Sequence, residues 1–120
     1  MDFKSGLEQI LERVAGSLGA SLIGADGLSV TEVSRDAKLD LTSIAAEYST
    51  ILKNARRAVD AMSFGVLEEI AVVTESFALL LCAVTDEYYL VLAIGRAELN
   101  YGKGRYELRR AIAQFRKELS

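Results

Sequence analysis

Leu7, Ile10, Leu11, Val14 and Leu18 recur every three to four residues. That is the spacing of one face of an α-helix and predicts a first helix over 3–17. Ser5 followed by Glu8 has the spacing of a capping box at its start. The outward positions Lys4, Glu8, Glu12 and Arg13 read as a solvated face. From residue 19 the period changes. Two short apolar stretches, 20–24 and 28–33, flank Ala25-Asp26-Gly27. An Asp-Gly pair between such stretches predicts a hairpin, because both residues tolerate the backbone twist that a tight turn requires.

After the polar segment 34–40, Leu41, Ile44, Ala45, Tyr48, Ile51, Leu52, Ala55, Val59 and Met62 keep a helical period. They predict a long helix over 41–62 with Asp40 as its N-cap. Three further apolar segments follow, 66–74, 77–85 and 88–94, separated by the short turns Glu75-Ser76 and Asp86-Glu87. They predict a meander of three strands. The middle segment, Phe-Ala-Leu-Leu-Leu-Cys-Ala-Val, is apolar at every position. A strand needs that when layers cover both faces of its sheet, so helices are expected on both sides. Leu108, Ala111, Ile112, Phe115 and Leu119 predict a last helix over 103–119, behind Gly102 and Gly104. The order α-β-β-α-β-β-β-α gives an α+β class, and no repeat, linker or low-complexity stretch divides residues 1–120, which read as a single domain.

Composition then narrows the chemistry. The 120 residues contain no His, no Trp, no Pro and one Cys, Cys82. Without His there is no Ser-His-Asp or Cys-His pair and no imidazole ligand for a metal. One cysteine makes neither a disulfide nor a thiolate cage, and no cofactor or metal is expected. Cys82 lies inside the doubly apolar strand and reads as a small buried hydrophobe. The 14 basic and 17 acidic residues leave a net charge of −3. This argues against a dedicated nucleic-acid binder. No apolar run approaches the length of a membrane span and no secretory leader is visible, so a cytoplasmic location is expected.

No phosphate-binding loop is present, since Gly102-Lys103-Gly104 lacks the third glycine of a dinucleotide fingerprint. The carboxylates Asp26, Asp36, Asp40, Glu68-Glu69 and Asp86-Glu87 fall in turns, caps or strand ends, where solvated structural roles account for them. Two basic clusters stand out: Lys53, Arg56 and Arg57, and then Lys103, Arg105, Arg109, Arg110, Arg116 and Lys117. A solvated face balanced by Glu107 and Glu118 is the simpler account of the second. An enzyme or ligand sensor would need a polar-lined pocket, whereas the strands read as filled core without convergent polar residues.

Ala46, Ala58 and Ala61 widen the apolar stripe of the long helix into a small-residue face that another helix can approach closely. If segment 66–74 is an edge strand, Glu68, Glu69 and Glu75 alone deter pairing with another chain. A small-residue helix beside such an edge predicts a two-fold interface and a homodimer.

In order and spacing, these features resemble the Roadblock/dynein light chain family, and within it the bacterial and archaeal MglB-like co-regulators of Ras-like GTPases. The residues that carry the resemblance begin with Ile23-Gly24-Ala25-Asp26-Gly27-Leu28-Ser29-Val30 and the Ala-rich helix from Leu41. Phe64-Gly65-Val66-Leu67-Glu68-Glu69 and Leu99-Asn100-Tyr101-Gly102, leading into Tyr106-Glu107-Leu108-Arg109-Arg110-Ala111, complete it. The resemblance implies a five-stranded antiparallel sheet, with the long helix on one face and the terminal helices on the other. It also implies a homodimer through the long helix and the third strand, whose contact residues are expected to be Tyr48, Ile51, Ala55, Ala58, Met62, Glu68, Ile70, Val72 and Thr74. A Ras-like small GTPase is the implied partner, bound without a catalytic residue being supplied. The surface positions Glu47, Thr50, Asn54 and Arg57 are the expected partner contacts. The alternative is a scaffold or adaptor dimer for a non-GTPase protein, as the dynein light chains of the family resemble.

Overall fold

The computed structural model describes residues 2–95 and 101–119. Helix α1 (Phe3–Arg13) starts at Asp2, whose Oδ1 accepts the backbone N–H of Ser5 at 2.7 Å. Asp2 therefore does the capping expected of Ser5 and Glu8, and Ser5 supplies the donor. The helix also ends earlier than its apolar spacing implies. Val14 closes it by donating its N–H to the Ile10 carbonyl, and Gly16 at φ 82° turns the chain, a conformation that glycine adopts without a Cβ penalty. Leu18 keeps the helical spacing but belongs to the next strand, β1 (Ser17–Gly24).

The hairpin forms as predicted. Strand β1 pairs antiparallel with β2 (Ser29–Ser34), and Asp26 Oδ1 accepts the N–H of Leu28 at 3.1 Å inside the turn. Asp40 caps α2 (Leu41–Ala61), accepting the backbone N–H of Ser43 at 3.0 Å and its hydroxyl at 2.6 Å. The meander is β3 (Glu69–Val73), β4 (Phe77–Ala83) and β5 (Tyr88–Gly95), and helix α3 spans Tyr101–Leu119. Strand β3 is shorter than its apolar run, so Glu68 lies just before it and Thr74 just after it. Leu99 and Asn100 of the family pattern lie outside the described residues.

The five strands form one antiparallel sheet in the order β2-β1-β5-β4-β3. The hairpin and the meander are thus joined through β1 and β5, where Ser21 lies opposite Val91. Alternation along the strands sends side chains to two cores. Leu22, Leu80 and Leu92 meet Leu7 and Leu11 of α1 and Phe115 of α3, while Ile23, Leu79, Leu81 and Val91 meet Ala45 and Leu52 of α2. Strand β4 is covered on both faces, as its unbroken apolar sequence requires.

The two helices on the first face are tied by Glu107, which is 3 % exposed and lies 3.4 Å from both Arg13 and Lys103. Glu107 is therefore not part of a solvated face, whereas Arg110, Lys117 and Glu118 are exposed. Burial leaves this carboxylate dependent on its two cations, since an unpaired buried charge is costly. No helix among the described residues is long and apolar enough to cross a membrane.

Candidate functional site

Helix α2 buries Leu41, Ala45, Ser49 and Leu52, and packs against β1 and β2. Its opposite face is open. Glu47, Thr50, Asn54 and Arg57 are all exposed there at a three-to-four spacing, and Arg57 donates to the Asn54 side-chain oxygen at 3.2 Å. Beside them lies an apolar line: Ile51 is 45 % exposed, Ala55 half-buried, Ala58 exposed and Met62 62 % exposed. Tyr48 is half-buried against the α2-side core.

The apolar line continues beyond the helix. After α2 the chain passes through Ser63 at φ 56° and Gly65 at φ 97°, and Phe64 and Val66 are 74 % and 81 % exposed. Strand β3 follows as one edge of the sheet, bonded to β4 along one side. Ile70 and Val72 lie on the α2 side, half-buried, while Ala71 and Val73 lie on the α3 side, exposed. Among the described residues no strand pairs with the other side of β3, and such an edge next to large exposed apolar side chains is an uncommon combination in a monomer. Phe64, Val66 and Val73 extend the surface beyond the residues expected from sequence. Their signal was the alternation Met62, Phe64, Val66, which runs on past the helix end.

Two of the three carboxylates expected to protect this edge are engaged. Glu69 Oε2 lies 2.9 Å from Arg105 Nε, and Arg109 reaches Glu68 and Glu69 at 3.4 Å each. A guanidinium fork suits two neighbouring carboxylates, so α3 clamps the start of β3 from below. These arginines were expected to face solvent, and the sequence held no sign that they meet Glu68 and Glu69 some forty positions away. The Cys82 thiol faces the same carboxylate, with Sγ 3.8 Å from Glu69 Oε1. Burial first, and the Glu69 charge second, push this thiol up to about 12. It remains protonated near neutrality, the form in which a thiol is a poor nucleophile. Among the described residues no group of His, Cys, Asp or Glu is arranged to hold a metal ion.

No family model matches the chain, and no curated protein matches it. Solved structures do. The chain is similar to MglC from Myxococcus xanthus, with 36 % identity over 98 % of this chain and 99 % of that one, at a TM-score of 0.70. It is similar in fold to a Roadblock/LC7 domain from Streptomyces avermitilis, with 22 % identity, 99 % and 98 % coverage and a TM-score of 0.85. Myxococcus xanthus MglB superposes at a TM-score of 0.84 with 13 % identity over 99 % and 98 % of the two chains. With 36 % identity to MglC over nearly the whole of both chains and the fold of a Roadblock/LC7 domain matched over 99 % of this chain's length, the chain belongs to the Roadblock/LC7 family.

Proposed function

We propose that the chain is a homodimeric, non-catalytic platform that binds a Ras-like small GTPase and modulates its nucleotide cycle. The observation that carries the reading is the apolar line Ile51, Met62, Phe64 and Val66 left bare beside the unpaired edge of β3. A two-fold axis at that edge lets the same patch meet itself, pairs the exposed backbone groups and covers the line. In this reading Tyr48, Ile51, Ala55, Ala58, Met62, Glu68, Ile70, Val72 and Thr74 form the contact. The partner meets the polar positions Glu47, Thr50, Asn54 and Arg57. The GTPase is what the family resemblance implies, and the buried, protonated Cys82 agrees with a regulator that supplies no nucleophile.

The test is the mass of the purified protein in solution, alone and mixed with a small GTPase of its host carrying GDP or a non-hydrolysable GTP analogue. A dimer that forms a nucleotide-dependent complex supports the reading. Replacing Glu47, Thr50, Asn54 and Arg57 together should then abolish the complex and leave the dimer intact. A dimer indifferent to the GTPase in both states points to the adaptor reading, and a monomer overturns the platform.

A further inference from the structure

Leu28 and Val30 are 68 % and 48 % exposed, and apart from Tyr106 on α3 they are, among the described residues, the large exposed apolar side chains outside the α2–β3 surface. They stand at the opposite edge of the sheet, where β2 pairs with β1 alone. Leu22 lies opposite Thr31 and Ile23 opposite Ser29, so Val30 is the extra residue of a β-bulge, a device that re-aims a side chain. The β4–β5 turn is drawn alongside, since the Ala25 N–H donates to the Glu87 carbonyl at 2.8 Å and Gly24 lies opposite Tyr88. Gly24 has no side chain to fill the space between the two turns. What remains is a groove of about 500 Å³ lined by Leu28, Val30 and Tyr88 together with Asp26 and Glu87. Asp26 accepts the Leu28 N–H within its own turn, and among the described residues neither Asp26 nor Glu87 is in an ion pair.

We propose that this groove docks a short segment of a partner protein that carries an arginine or lysine beside an apolar side chain. The cation meets Asp26 and Glu87 and lies against Tyr88, while the apolar neighbour covers Leu28 and Val30. Charge excludes the other occupants. A two-fold contact centred on the groove sets Asp26 and Glu87 against their own copies, and a lipid headgroup or nucleic-acid phosphate meets the same two negative charges. The bulge and the exposed Glu32 on the same strand guard β2 against an added strand, so the contact is one of side chains. Of the lining residues only Gly24 is buried. A small amine in so open a groove keeps most of its surface in water, whereas a protein segment brings its own cover. No lining residue belongs to the contacts proposed for the dimer or the GTPase, and the inference rests on neither.

The experiment is selection of a displayed library of random dodecapeptides on the immobilised full chain, with counter-selection on its Leu28→Ser variant. The winning peptide is then titrated into isotope-labelled protein and followed by amide NMR. Enrichment of sequences that set Arg or Lys next to Leu, Ile, Phe or Trp, with saturable shifts at residues 24–30 and 86–88, supports the site. Asp26→Asn keeps the turn acceptor and Glu87→Gln keeps the side-chain shape, so the two together test charge alone. In that double variant affinity should fall about five- to tenfold and lose most of its dependence on salt. Leu28→Ser, at a solvent-facing position, should weaken binding about tenfold. The proposal is overturned by a library without enrichment, by winners that are acidic or uncharged, by shifts centred on α2 or β3, or by affinity unchanged in the variants. Phenethylamine saturating the same amides as tightly as the peptide also overturns it, in favour of a small-molecule site.

Discussion

Arg105 Nε lies 2.9 Å from Glu69 Oε2, and this contact joins the last helix to the edge strand of the sheet. The arginine side chain is about half exposed and the glutamate 16 % exposed, so water screens the pair in part. A double-mutant cycle with Arg105→Ala and Glu69→Ala, read by urea unfolding, should give a coupling of about 0.5 to 1 kcal/mol. The coupling should shrink in about 1 M NaCl, where screening acts within about 3 Å. A coupling of zero at low salt would make the clamp a bystander.

Asp40 caps α2 with two hydrogen bonds from Ser43, which hold its carboxyl below the ordinary 3.8. A carboxylate whose native value is lowered adds stability that is present above 3.8 and is lost as the pH falls through the lowered value. Asp40→Asn keeps a capping oxygen without titrating. The stability difference between the two proteins should stay level near neutral pH and shift toward the variant in acid below 3.8. Parallel acid profiles would remove Asp40 from the pH dependence.

Cys82 titrates at about 12 in the folded protein against 9.0 ordinarily, because burial disfavours the thiolate. The raised value adds stability that is complete below 9.0 and is lost as the pH rises toward 12. Cys82→Ala should flatten that alkaline loss. In the native protein at pH 8, a disulfide reagent should label the thiol no faster than the chain unfolds, and in denaturant it should label one equivalent. Rapid labelling of the native state would show a thiol more open than its packing allows.

Val72 sits half-buried on the α2 side of β3, within the proposed contact. Val72→Arg should weaken self-association or folding, visible as a lower mass in light scattering or a lower unfolding midpoint, since a desolvated guanidinium there has no partner. A variant that remains dimeric and stable would place the contact elsewhere.

Elements whose period is set by burial were legible in the sequence. The hairpin at Asp26-Gly27, the α2 register and the two-sided burial of β4 follow from spacing alone, because each records which side of the chain meets a core. Boundaries were less legible where a spacing arose by coincidence. Leu18 fits the α1 stripe yet belongs to β1, and Val66 reads as strand although β3 starts at Glu69. Least legible were contacts between positions far apart. Nothing local to Glu69 announces Arg105, and nothing local to Val84 announces Arg116. The exposed positions of α2 were foreseeable as a face, because a helix buried along one stripe leaves the opposite one to solvent.

The pairing of β1 with β5 has a consequence for how the chain folds. Ser17 is matched with Ile94, so the two central strands meet across most of the chain. Until they do, the early half holds β1 with one flank bare, and the late half holds β5 in the same condition, each a strand that the folded protein buries on both faces. Closing so long a loop is slow relative to forming a hairpin or a helix turn. The β1–β5 seam is thus the step at which two separately sticky halves become one cooperative unit, and a chain cut at 62–68 should yield fragments that aggregate alone and complement each other when mixed.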